Sequence, residues 1–375
     1  MRTSAAMRRV TALLLVLMAA SAPPAAAVEL QDGKLSINGY GSWGYGATNL
    51  NDYLVAGHGG DFDSGDFALA LTSRLSDRAV AAAQLHFFPE RTGLSLDWAF
   101  GEWRFSDLLR VRAGVLKHPF GIFGEVINVG TLRPFFLIPS SVYGATEISG
   151  SGVNGLAFSG VIHPGKGWEL SYDLYGGSLK LHVEEVISKV LQQVQGTLQP
   201  GGTLEIGVEE TKYVLGGRLI ASTPLEGFEV RLSAYGTPIR EENGPRVVVG
   251  PSLQYTGEAF SARLEYFFFH ETYQRAHAAY AEAAYFLTEK FQVGARAEIY
   301  HTTPFQAPID SSLFEHRELA ATFNYWFDPG LVVKLSFHAI DGNRFAFPVP
   351  LDDALLAGSL KRTTFASIAG VQFSF

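Results

Sequence analysis

The 375-residue chain carries 37 Asp+Glu against 29 Lys+Arg, is 47% hydrophobic and 13% aromatic, and contains 40 glycines and no cysteine. The acidic surplus argues against a nucleic-acid partner. The missing thiols exclude a disulfide scaffold and a lipid anchor on an N-terminal cysteine.

Arg2, Arg8 and Arg9 precede the apolar run VTALLLVLMAA, which is followed by small residues ending Ala25-Ala26-Ala27. A positive segment, a short greasy core and an A-x-A site predict a secretory signal peptide over residues 1–27, too short for a retained span. Removing it leaves 26 basic residues against the same 37 acids over 28–375. That remainder has no run of 18 apolar residues, so no transmembrane helix is expected. Abundant glycine and aromatics without long apolar runs suit strands.

Period-2 alternation predicts sixteen strands, near 34–47, 65–75, 79–88, 95–105, 109–117, 151–162, 168–176, 211–222, 227–236, 246–256, 259–269, 277–287, 291–300, 315–327, 331–339 and 361–375. Seven connections are tight, among them Ser76-Asp77-Arg78, Gly257-Glu258 and Asp328-Pro329-Gly330. Eight are mostly longer, around 48–64, 89–94, 118–150, 177–210, 237–245, 270–276, 301–314 and 340–360. The two kinds alternate along the chain. Short turns on one rim and long loops on the other are produced by an up-and-down transmembrane β-barrel.

Side-chain direction agrees. Phe291, Val293, Ala295, Ala297 and Ile299 share one parity, against Gln292, Gly294, Arg296 and Glu298. Phe228, Val230, Leu232 and Ala234 likewise oppose Glu229, Arg231 and Ser233. Beside the tight turns, on the apolar parity, stand Phe105, Trp168, Phe228, Tyr255, Phe260, Tyr285, Phe291, Phe327, Phe373 and Phe375. Such rings form a belt at a membrane interface. Strand 361–375 then pairs with 34–47 to close the barrel. About ten residues at ~3.3 Å each, tilted by about 40°, span the ~25 Å apolar band of such barrels.

The charged parity should line a wet lumen, since sixteen strands enclose water and so many charges in a packed interior would be prohibitively costly. Candidate pore-lining residues are Arg110, Arg112, Arg218, Arg231, Arg263, Arg296, Lys334, Glu102, Glu282 and Glu298. A mixture of both signs orders water and screens solutes by size and dipole, whereas a ring of one sign selects the opposite ion. The long apolar loop 118–150 is predicted to pack against the inner wall, leaving Lys117, His118, Glu125, Arg133 and Glu147 to edge a constriction. In 177–210, Leu179, Val183, Val186, Val190 and Val194 fall at helical spacing, with Ser178 and Gly196 as caps. A short helix on the barrel mouth is expected there. The thin outward sets Ala79, Ala81, Ala83 and Ala279, Ala281, Ala283 are candidates for a subunit contact.

RVRAGVLKHPFG, LRPFFLIPSSVYG and ELAATFNYWFDPGLVVKLSF with a final Phe give a resemblance over essentially all of 28–375. The chain resembles the phosphate-selective (O/P-type) porin family of Gram-negative outer membranes. The resemblance implies a sixteen-stranded channel, a homotrimer in the outer membrane, whose third long loop, here 118–150, narrows the pore. Phosphate-preferring members carry basic clusters at that point; this segment has only Arg133 beside Lys117 and His118, facing Glu125 and Glu147.

Two G-x-G-x-x-G matches, Gly39-Gly41-Gly44 and Gly150-Gly152-Gly155, lie in or entering strands and so read as close sheet packing, not a nucleotide site. There is no G-x-S-x-G and no H-E-x-x-H. No enzyme activity, metal or cofactor is expected. The sequence reads as a porin passing small polar solutes or ions, with an anion or phosphate channel, or a structural surface-recognition barrel, as the other readings.

Overall fold

The computed structural model describes residues 28–30, 33–88, 93–144, 146–184, 192, 195–201, 206–240, 244–272, 274–304 and 311–375. Sixteen long strands make one closed antiparallel barrel. They are β1 Leu35–Thr48, β2 Asp61–Arg74, β3 Ala79–Phe88, β4 Gly93–Ser106, β5 Leu109–Leu116, β6 Thr146–Gly165, β7 Trp168–Glu184, β8 Val214–Ser222, β9 Phe228–Arg240, β10 Gly244–Thr256, β11 Phe260–Glu271, β12 Gln274–Phe286, β13 Phe291–Pro304, β14 Glu315–Asp328, β15 Leu331–Asp341 and β16 Thr363–Ser374. Each pairs with its neighbours in chain order, and β16 returns to β1 with Tyr40 opposite Ser374 and Tyr45 opposite Ala369. No helix among the described residues is long and apolar enough to cross a membrane. Closure removes the unpaired edges that a strand otherwise exposes.

The alternating pattern decides which face is out. On β13, Phe291, Ala295, Ala297 and Ile299 are exposed while Gln292, Arg296, Glu298 and Tyr300 are buried. The same greasy-out order runs through β11, β12, β14, β15 and β16. Rings cluster at the tight-turn rim, with Tyr255 and Phe260 at 6.1 Å and Phe291 and Tyr325 at 5.0 Å between centroids. At the seam, Gly39 and Phe375 exchange backbone hydrogen bonds of 2.9 Å, and the Phe373 and Phe375 rings lie over Gly41 and Gly39. A Cβ on either glycine would meet a ring, which is the close packing expected of Gly39-Gly41-Gly44.

Among the strand boundaries that differ from expectation, two bear on the interior and the mouth. Strand β6 starts at Thr146, so the end of 118–150 is already sheet. Strand β7 runs on to Glu184 and pairs with Ile206–Glu210, so Ser178 caps no helix there. Leu179, Leu181 and Val183 alternate as well as Leu179 and Val183 fit a helix, and cross-strand pairing settles the tie in favour of sheet. Val186, Val190 and Val194 lie outside the described residues.

At the long-loop end, Asp52–Tyr53 pairs with Ala346–Phe347, and the short helix α1 (Leu351–Ala357) packs with Leu198, Leu313 and Phe314. These loops cover the mouth on the side of β13–β16 and β1.

Candidate functional site: the barrel interior

The segment between β5 and β6 has little regular structure, only single turns at Gly130–Leu132 and Ser140–Tyr143. Its backbone N–H and C=O groups therefore need partners from elsewhere. Inward-facing side chains of the strands supply them. Lys334 Nζ donates to the carbonyls of Gly130 (2.8 Å), Arg133 (2.5 Å) and Phe135 (3.4 Å). Arg296 donates to Leu137 O (2.9 Å), Asn324 to Pro134 O (2.8 Å) and Gln372 to Phe136 O (3.1 Å). Arg218 and Arg231 both reach Gly121 O (3.4 and 3.3 Å), and Arg263 reaches Leu132 O (3.4 Å).

Acids serve the donors. Glu265, fully buried, accepts from Ile122 N (2.9 Å), Tyr143 Oη (2.6 Å), Tyr280 Oη (2.7 Å) and Ser252 Oγ (2.5 Å). Glu298 accepts from Ser141 N at 2.9 Å. The apolar side chains follow: Phe120 packs 4.4 Å from the Phe267 ring, and Phe135 lies under the Arg296 guanidinium. Phe136 seats against Gly44 and Gly370 on neighbouring strands, where any Cβ would collide with its ring.

This geometry changes the role of several residues expected on a pore wall. Arg296, Lys334, Glu282 and Glu298 do point inward, but their side chains are shut away from solvent beneath the segment. Arg218, Arg231 and Arg263 are largely covered too. They hold a polypeptide in place, because irregular backbone inside the barrel is the acceptor closest to them. His118 is likewise no edge of a passage. It is fully buried, stacked on Phe120, with Nε2 2.6 Å from Tyr175 Oη and Nδ1 accepting from Gly150 N at 3.0 Å. Burial and the nearby Arg218 push its pKa down to about 3. Arg133 turns back onto its own segment, donating to Ile127 O and Phe136 O. The Glu147 side chain lies outside the described residues.

What stays open is off-centre. A cavity of about 220 Å³ runs beside β3–β7, lined by Gln84, Trp98, Phe100, Arg112, Lys117 and Glu125 among others. Every cation here has an acid. Lys117 pairs with Asp97 at 2.7 Å, Arg112 with Glu102 at 2.6 Å and Glu125 at 3.8 Å. Arg218 bridges Glu125 and Asp173, the latter at 2.8 Å. Arg110 sits nearer the turn rim of the same wall, opposite Arg104 and Ser159.

Trp98 and Phe100 are the interior residues that sequence reasoning missed. Their rings lie 5.5 Å apart, and Arg112 stands over Phe100 at 5.3 Å. Leu94 and Leu96 face out on even numbers, but Trp103 and Phe105 face out on odd ones. A bulge between them, where Gln84 pairs with Trp98 but Leu85 with Leu96, switches the parity. The change of phase in GLSLDWAFGEWRF is the signal that could have found it.

No protein family and no curated protein sequence matches the chain. Solved structures do. OmpF of Salmonella typhi, in complex with daunomycin, aligns over 93% of this chain and 100% of its own, with a TM-score of 0.59 and 9% identity. The anion-selective porin of Comamonas acidovorans covers 91% and 99%, at a TM-score of 0.56 and 9% identity. The trimer form of OmpT, an outer membrane protein of Vibrio cholerae, covers 91% and 99%, at 0.56 and 7%. The chain has the porin fold. At these identities the porin likeness is one of architecture.

Proposed function

We propose that this porin-fold barrel resides in the outer membrane, exported by the leader 1–27, and passes small water-soluble solutes or ions by passive diffusion. The observation that carries this reading is the cavity beside β3–β7, bounded by Arg112, Lys117, Glu125 and Asp173 within a wall whose outer face is greasy. The segment 118–144 acts as the constriction, fixed to β8–β16 and facing the opposite wall. Because each cation at the cavity has a carboxylate partner, the passage is weakly selective and screens mainly by size and dipole. Paired cations disfavour a dedicated phosphate channel, which needs basic groups available to the ion. The barrel works without chemistry or cofactor, and a homotrimer is the assembly we infer from the resemblance and from the trimeric structural neighbour.

Reconstitution in a planar bilayer tests this. Stepwise conductance with a permeability ratio near one is expected under asymmetric KCl. A silent barrel would favour the surface-recognition reading, and strong anion preference the specialist channel.

A further inference from the structure

The lipid-facing parity of β11–β16 changes character abruptly near the long-loop rim, and strand register lets it be read row by row. The outermost row places His270 opposite Arg275, and Arg275 opposite Thr303. The next sets Phe268, His277, His301 and Glu315 side by side, and the third Tyr266, Ala279, Ile299, Arg317 and Asp341. The fourth is wholly apolar: Leu264, Ala281, Ala297, Leu319, Ala339 and Phe365. Arg275, His301 and Arg317 are exposed. The acids of the band are already engaged, since Arg362 pairs with both Glu315 (2.7 Å) and Asp341 (3.0 Å). His301 lies 3.6 Å from Glu315 as well. Among the described residues no carboxylate lies within 4.0 Å of the Arg275 or Arg317 guanidinium; Arg317 stands opposite Asp341 and feels its charge, while Asp341 is held by Arg362, so both guanidinium groups keep donors for a further anion.

Directly below this band the outer wall is hollow. Ala281, Ala283, Ala295 and Ala297 floor a groove of about 410 Å³ that begins beside Leu264 and Leu253 and runs on to Tyr255 and Phe228 of the tight-turn belt. An alkyl chain fits such a trough: the floor has no side chain beyond Cβ, and the flanking groups are apolar. Cations immediately above an apolar trough are complementary to one lipid molecule that carries negative charge on its head.

We propose that the outer face of β11–β14 binds a phosphorylated lipid of the leaflet at the long-loop side, with an acyl chain in the alanine-floored groove and its phosphate held by Arg275, His301 and Arg317. The guanidinium groups suit phosphate oxygens, since their N–H donors match tetrahedral oxyanions. The proposal rests on the barrel spanning a membrane and not on anything passing through it.

Native mass spectrometry of the full-length barrel in mild detergent provides the test. Dimyristoyl phosphatidic acid should be retained, dimyristoyl glycerol at the same concentration should not, and excess inorganic phosphate should leave the lipid adduct in place. Removing each arginine should weaken retention about fivefold, so Arg275→Gln with Arg317→Gln loses about 25-fold. Ala281→Leu with Ala297→Leu should also weaken it, although both arginines remain. Arg104→Gln, exposed at the opposite rim, should change nothing. The side chains substituted at 275, 281, 297 and 317 face outward, and heat-modifiable migration on gels verifies that each variant is folded.

Equal retention of the uncharged lipid, or unchanged binding by the double arginine variant, overturns the proposal. Displacement by inorganic phosphate would make this an ion site. Conversion of an oligomer to monomer by the alanine variants, with lipid retention unaltered, would make the face a contact between copies. Lipid retention is read without conductance, so either this proposal or the transport reading can fail alone.

Discussion

Replacing Lys334 with methionine is the most direct probe of how the interior segment is held. The side chain is completely buried, and its Nζ serves the carbonyls of Gly130, Arg133 and Phe135. Methionine keeps much of the volume but none of the donors, leaving three carbonyls short of a partner. Each unsatisfied buried group costs about 1–3 kcal/mol, and water entering from the adjoining cavity recovers part of that. A net loss of ~3 kcal/mol raises the released population of the segment by ~150-fold. The barrel should persist, because each strand remains paired on both sides. Single-channel recording should then show larger and noisier openings, while the folded band on an unheated gel is unchanged. Lys334→Arg, which keeps donors in reach, should fall between the variant and wild type. Wild-type conductance and noise from a folded Lys334→Met barrel would refute the claim that this amine fastens the segment.

Three further outcomes are expected. Glu125→Gln removes a carboxylate shared by Arg112 and Arg218, so the zero-current potential in a tenfold KCl gradient should move toward anion preference with little change in conductance. His118 stays neutral in the fold because burial and Arg218 hold its pKa near 3, against about 6.5 when unfolded. The released or unfolded chain therefore binds the extra proton between about pH 3 and 6.5, so stability is fully present above that window and falls as pH drops through it. Measured against the intrinsic exchange rate at each pH, protection of the Gly150 N–H should be lower at pH 4 than at pH 7, and His118→Gln should flatten the difference. Gly370→Ala places a methyl against the Phe136 ring; overpacking of this kind costs about 1–3 kcal/mol, and lowered protease resistance of 130–138 in the folded barrel would report it.

The barrel was legible because a two-residue period survives in nearly every strand and because turns and loops sort onto opposite rims. Pairing contradicts neither signal. The bulge in β4 was harder, since one inserted residue reverses which of Trp98 and Trp103 looks inward without altering composition. The stretch after Ser178 satisfied helix and strand at once, and only the partner Ile206–Glu210 decides between them. The duties of Arg218, Arg296 and Lys334 were beyond reach from sequence, because an inward cation looks the same whether it meets water or a carbonyl. Its meaning depends on the path of a segment far away in the chain. Lys117 and Glu125 line the open cavity because they sit where that segment leaves the wall and flanks it.

The lopsided filling of the cylinder separates two tasks among different staves. Strands β8–β16 grip the inserted polypeptide, whereas β3–β5 line the open cavity with Gln84, Trp98, Phe100 and Arg112. Exchanging a bulky ring on the latter side resets the calibre without loosening the grip on the former. Aperture can thus drift from one descendant to another, one substitution at a time, while the cost of anchoring is left alone.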